Sequence, residues 1–165
     1  MSYLDIDQIL SEEERIPATF LLEGPGLGHL DASIDSTDLP ENSRIELPLW
    51  LALSFGRKNM VNLELPKHFE RKMRDEILAG AENINLKEFS HYFFEVGSNL
   101  AIETKNEDLK TTLQIAFAGE RFRSLMMHAL SSWNDDLTEF AQNLTAAEKR
   151  ILEEGIVYIL FITTA

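Results

Sequence analysis

The chain has 165 residues, 44% of them hydrophobic, which is enough for one domain or two small ones with a real core. Acidic side chains outnumber basic ones 28 to 15, a formal net charge of −13, so the chain as a whole repels phosphate backbones and anionic membranes, and strong direct nucleic-acid binding by the isolated chain is not expected. It has no cysteine, which excludes a disulfide scaffold, a zinc finger and a thiol nucleophile.

Met1 to Glu14 is acidic and lacks an apolar h-region, so it does not read as a signal peptide. The longest apolar run, Ile156 to Ile162, has seven residues. A spanning helix needs roughly 20, so the expectation is a soluble intracellular protein with no membrane partner. Charge is uneven along the chain. Residues 1–56 hold 11 acidic and 2 basic side chains, 57–74 reverse this with 6 basic against 2 acidic, and 75–165 return to 15 against 7.

Strand signals come first. Ala18 to Glu23 is β-favouring and ends in the turn-forming Gly24-Pro25-Gly26-Leu27-Gly28, and Arg44 to Leu47 and Val61 to Leu65 alternate apolar with polar. Pro48 to Phe55 predicts a short helix with Gly56 just past its end, and Pro66 to Ala79 repeats that punctuation with Gly80. Leu86, Phe89, Phe93, Val96 and Leu100 then recur at helical spacing, with Tyr92 and Phe94 off the stripe. From Asn106 to Trp133 no proline interrupts, which at ~1.5 Å per residue gives a helix on the order of 40 Å long. Thr145 and Glu148 form a T-x-x-E capping box ahead of Ile151 and Leu152. The prediction is an α+β chain, mainly α: a small β-rich domain with short helices over 1–66, then a helical bundle domain over 67–165.

Motifs for chemistry are weak. Gly24 to Gly28 misses the dinucleotide fingerprint spacing, no G-K-[ST] follows, and a plain turn accounts for it. His29, His68, His91 and His128 stand apart with no i, i+4 pair, and read as exposed or singly satisfied. Glu12-Glu13-Glu14 and Asp135-Asp136 are adjacent carboxylates that diverge by about 100° on a helix. They suit a solvated face or helix-start charge. No G-x-S-x-G or S-x-x-K supports a serine nucleophile. The sequence therefore offers no catalytic residue, metal ligand or cofactor.

Two surfaces stand out. On a helix over 66–79, Lys67, Arg71 and Arg74 fall within about 60° of one another, opposite Phe69, Met73 and Ile77. Such a face is either ordinary wet surface or a contact for an acidic partner. On the long helix, Leu109, Leu113 and Ala116 share one side, while Ile115, Phe122, Leu125, Met126, Ala129 and Trp133 cluster on the other, with Gly119 where the sides change. One core needs one stripe, so Phe122, Met126 and Trp133, with Tyr92 and Phe94, are candidate subunit-interface residues.

Several segments together resemble the third Psf-type subunit of the eukaryotic GINS complex, a family of DNA replication proteins. They are Leu4-Asp5-Ile6-Asp7-Gln8-Ile9-Leu10, Arg15-Ile16-Pro17, Glu46-Leu47-Pro48-Leu49-Trp50-Leu51-Ala52, Leu63-Glu64-Leu65-Pro66-Lys67, Tyr92 to Gly97, and Phe117-Ala118-Gly119-Glu120-Arg121-Phe122-Arg123. Order and spacing match over about residues 4–155, and the E-L-P-L-W-L-A string is the most specific. The end departs from the family: Ile156 to Ala165 is apolar and β-branched in place of a charged helical continuation, which argues against a last helix there.

The resemblance implies a β-rich domain followed by a helical domain, an order permuted relative to two sister subunits. It also implies helical domains packed as the core of a heterotetramer. In this family the tetramer joins the replicative helicase, holding the Cdc forty-five protein against the minichromosome-maintenance hexamer, which carries the ATPase. The chain would then be a nuclear, non-enzymatic scaffold with three sister subunits as partners. The other reading is a small hydrolase or nucleotide-handling enzyme with a carboxylate and histidine site, which requires convergent carboxylates in a pocket.

Overall fold

The computed structural model of the chain describes residues 5–31, 35–131 and 137–164. They run α1 (Ile6–Glu12), β1 (Arg15–Phe20), β2 (Arg44–Pro48), α2 (Leu49–Arg57), β3 (Val61–Leu63), α3 (Arg71–Gly80), α4 (Phe93–Glu103), α5 (Glu107–Ala118), α6 (Glu120–Ser131), α7 (Thr138–Gln142) and α8 (Ala146–Thr164), with short 3-10 turns between some of them. The class is α+β and mainly α, as the patterning predicts.

The sheet is antiparallel in the order β2-β1-β3, with Ile16 opposite Leu47, and Ala18 opposite both Ile45 and Leu63. Its period-2 alternation sends Ile16, Ala18 and Phe20 into the core. The strand therefore starts three residues earlier than Ala18 and stops before Leu21 and Leu22, which are exposed. Pro17 is tolerated in this central strand because the β3 ladder is ending there. Its carbonyl accepts from Glu64 N at 3.0 Å, and no strand needs the N–H that proline lacks.

Gly56 lies inside α2 and does not terminate it. The stop is a Schellman turn: Asn59, at φ 54, donates to Gly56 O, and Met60 N donates to Phe55 O. A Cβ at position 56 would stand 3.2 Å from Leu63 Cδ1, a tight contact with the side chain of β3.

Two predicted helices are each divided. Over 66–79, Lys67–Phe69 is a separate 3-10 turn, and Glu70 is extended at ψ 164 before α3 begins. The physical reason is Phe69. The break lets its ring bury completely, 4.8 Å from that of Phe93, and that tertiary contact outweighs helix continuity. Over 106–133, Gly119 at ψ −141 separates α5 from α6. This bend falls at the position where the apolar side changes.

The α4–α5 turn is a second Schellman motif, with Lys105 at φ 52 and Asn106 N donating to Ala101 O. Asn106 then caps α5, its Oδ1 accepting from Leu109 N at 3.0 Å. Gly97 lets the two helices close together, since a Cβ there would lie 2.9 Å from Phe69 Cε1 and 3.0 Å from Leu113 Cδ1. Half of the predicted capping box is present: Glu148 Oε2 accepts from Thr145 N at 2.9 Å, and the Thr145 hydroxyl donates to the same oxygen at 2.8 Å. The helix it opens continues through Thr164, so the apolar, β-branched end is helical.

The larger apolar cluster runs from Ile16 and Phe20 in the sheet through Phe69, Phe93 and Leu100 to Leu109 and Leu113, and so spans residues on both sides of position 66. A smaller one joins Leu125 and Ala129 of α6 to Leu144 and to Leu152 of α8.

Candidate subunit-docking groove

Helices α4 and α5, joined by the tight Lys105–Asn106 turn, bury Val96, Leu100, Leu109, Leu113 and Ala116 between themselves and their neighbours. Their shared outer surface is a groove of about 590 Å³. It is lined by Phe94, Ala101 and Ile102 of α4, by Leu113, Phe117 and Ala118 of α5, and by Ala147 of α8. Ile102 is 71% exposed.

Three charged residues border this apolar lining: Glu95, Lys110 and Arg150. Glu95 is half-buried, and its Oε2 has no hydrogen-bond partner. Burial raises its pKa above the ordinary glutamate value against the lowering pull of Arg150. Glu95, Lys110 and Arg150 thus give the edge of the groove charges of both signs.

The sequence-derived candidates distribute unevenly around this groove. Tyr92 and Phe94, expected to be surplus apolar surface, are each only 8% exposed and are covered by the chain itself. Burial, and then the nearby Asp7 carboxylate, raise the pKa of the Tyr92 phenol. Phe94 packs edge-on against Phe117 at 5.0 Å and contributes to the groove wall. Phe117 in turn lies 6.3 Å from Phe122, which is 39% exposed. An aromatic path thus leads from the groove to the first turn of α6.

The opposed-stripe reading of the long helix needs correction. Leu109, Leu113 and Ala116 are buried as expected, but Leu125 and Ala129 of the far stripe are buried too, in the smaller cluster against α8. Met126 is half-buried beside them. The break at Gly119 re-aims α6, so a single 100° projection does not carry across it. The apolar residues left outward on these helices include Ile115, Phe122, Met127 and Leu130. Trp133 lies outside the described residues.

The basic face is also revised. Because the chain breaks at Glu70, Lys67 does not share a helix with Arg71 and Arg74. Arg71 is exposed, 4.0 Å from Asp75, and Arg74 is partly buried, donating to Asn106 Oδ1 at 3.4 Å.

Sequence reasoning missed the groove because its walls come from α4, α5 and α8. The available signals were Phe94 and Ile102 on one helix and Phe117 on the next. It also missed that Arg121 and Glu148, each noted in a separate motif, meet: Arg121 Nε donates to Glu148 Oε1 at 2.6 Å.

For the alternative enzymatic reading, the described residues contain no group of three or more His, Asp or Glu placed to hold a metal ion. The glycine-rich loop uses its amides internally, Gly26 N donating to Asp38 Oδ1 and Gly28 N to Thr37 O. His68 is half-buried among Phe69, Phe89 and Phe93, which lowers its pKa through burial.

An α+β chain with an open, apolar groove edged by single charges is of the kind that packs against other polypeptides. Comparison with known proteins narrows this. Residues 4–55 match the PSF3 N-terminal domain family. The chain is 30% identical to the DNA replication complex GINS protein PSF3 of Bos taurus, over 93% of its own length and 75% of the relative's. It is 27% identical to the Schizosaccharomyces pombe protein psf3, covering 89% of it, and 28% identical to a probable PSF3 of Dictyostelium discoideum, of which it spans 58%. The chain belongs to the PSF3 family of DNA replication complex GINS proteins.

Proposed function

We propose that this chain is a non-catalytic scaffold subunit of a GINS heterotetramer acting in the initiation and elongation of DNA replication, and that the α4–α5 groove receives a sister subunit. Family membership supports the replication role, and one structural observation carries the docking site. The groove combines an apolar lining with a highly exposed Ile102. That is surface left incomplete in the isolated chain. In this reading the segments 1–66 and 67–165 divide the work: the second supplies the packing surface of the tetramer, and the first is presented beside it. Phe94 and Phe122 extend the contact along the aromatic path, with Met126 and Trp133 as the remaining candidates, while Tyr92 is covered by the chain itself.

Three sister subunits are the direct partners. In this reading the minichromosome-maintenance hexamer and the Cdc forty-five protein are reached through the complex, and the chain acts in the nucleus. Lys67 and Arg71 are exposed cations available to an acidic partner, while Arg74 is engaged with Asn106. The chain is not an enzyme in this account. The test is co-expression with the three sister subunits and mass measurement of the purified assembly. A single species containing one copy of each chain is expected; a chain that purifies alone as a monodisperse, stable monomer beside unassociated sisters contradicts it.

A further inference from the structure

Helix α1 is amphipathic in an inverted sense. Part of its polar side faces the rest of the chain. Ser11 is 2% exposed, the Asp7 carboxylate lies near the Tyr92 phenol although Asp7 itself is exposed, and Arg150 Nη1 lies 3.6 Å from Asp5 Oδ2. Just past the helix, Ser90 Oγ donates to Glu14 Oε1 at 3.0 Å. The apolar side points to solvent: Ile6, Ile9 and Leu10 are 70%, 50% and 47% exposed. At i, i+3 and i+4 they fall within about 100° on one face. Single exposed aliphatics are ordinary, but a three-residue stripe on a helix held down by its polar side is the signature of a surface completed by another molecule.

The charge around the stripe defines that molecule. Residues 5–14 hold Asp5, Asp7, Glu12, Glu13 and Glu14 and no cation. In projection Glu13 falls between Ile6 and Ile9, and Glu12 flanks Ile9. Glu12 and Glu13 therefore border the stripe itself, while Asp5, Asp7 and Glu14 lie toward the chain. With no cation beside them, the two bordering carboxylates disfavour a phosphate backbone or anionic lipid and favour an apolar protein cleft with Lys or Arg at its mouth.

We propose that the Ile6, Ile9 and Leu10 face of α1 is a second docking surface, separate from the α4–α5 groove, that inserts into an apolar, basic-rimmed cleft on a sister subunit. This rests on the subunit reading above for the existence of the sisters. The Asp5–Arg150 contact ties α1 to a residue that also lines the groove, so the two surfaces engage the assembly from neighbouring positions.

The test uses the full chain co-expressed with the three sister subunits. Ile9→Glu combined with Leu10→Glu places carboxylates in the apolar cleft and lowers recovery of a sister by about tenfold or more, while circular dichroism matches the parent. Glu12→Lys with Glu13→Lys weakens recovery several-fold, with a larger effect at low than at high salt. A benzophenone side chain placed at Ile6 forms its adduct on a sister within a few residues of a Lys or Arg. Undiminished recovery for both double variants, or adducts confined to this chain, to nucleic acid or to lipid, overturns the inference while leaving the subunit reading intact. If the parent chain gathers no sisters at all, the subunit reading fails, and this inference falls with it.

Discussion

Arg121 and Glu148, 27 positions apart, form a buried ion pair of 2.6 Å, with side-chain exposures of 10% and 1%. The Glu148 carboxylate is shared. Oε1 takes the guanidinium, while Oε2 accepts from Thr145 N and Oγ1. Arg121 is itself held by the carbonyls of Ala81 and Ile84, each 2.8 Å from Nη1. One network therefore fixes the start of α8, the first turn of α6 and the turn after α3. Arg121→Leu strands a buried carboxylate and should cost roughly 3–5 kcal/mol in urea unfolding of the purified chain, whereas Arg121→Leu with Glu148→Leu should cost less than the sum of the single changes. Additive losses would show that the two residues do not act as a unit.

Gly97 is a packing constraint at the α4–α5 contact. A methyl group there meets Phe69 and Leu113 at about 3 Å, and both are buried. Gly97→Ala should therefore destabilise the chain by about 1–3 kcal/mol despite the better helix propensity of alanine. A stabilised variant, read by the thermal midpoint, would mean that the two helices separate easily.

How far the fold was legible in the sequence follows from the range of the interactions that decide each element. The capping contact of Glu148 with Thr145 and the alternation in β2 are local, and they appear where the residues predict. The start of β1 was hidden because Pro17 is acceptable only where the β3 ladder ends. The splitting of the 66–79 helix turns on Phe69 reaching Phe93, which leaves no trace in local periodicity, whereas the break at Gly119 falls where the apolar side of the long helix changes in the sequence. The groove was half legible: Phe94 was singled out, but as free surface when it is a wall. Arg121 and Glu148 were each visible, and their meeting was not.

Two titrations act with opposite signs. The pKa of Glu95 is raised by burial, so its contribution to stability is present at low pH and is lost as pH rises through the folded-state value. Glu95→Gln should therefore gain stability over the parent as pH rises from acid to neutral, with the gap closing again in acid. His68 is lowered from 6.5 by burial. Its contribution is present above that value and is lost as pH falls toward the folded-state pKa. His68→Leu should flatten the acid limb of the stability profile between pH 6.5 and that lower value. Unchanged pH profiles in both variants would mean that neither side chain is desolvated as described.

Leu113 and Phe122 separate core from contact surface. Leu113 is buried against Gly97, while Phe122 stands at the exposed end of the aromatic path. Leu113→Glu should abolish the helical circular dichroism of the chain. Phe122→Glu should leave it within experimental error of the parent and reduce recovery of the sister subunits. Equal loss of helicity from both would assign Phe122 to the internal core.

The account stands on the α4–α5 groove as a subunit contact, and Ile102 is its most direct probe because the side chain is 71% exposed in the free chain. The decisive measurement is the quantity of sister subunits retained by Ile102→Glu in co-purification, set beside its circular dichroism and thermal midpoint. The account predicts a parent-like fold and midpoint with retention reduced by about tenfold or more, since a carboxylate would be buried in an apolar contact. Full retention of all three sisters by a well-folded Ile102→Glu chain would contradict it.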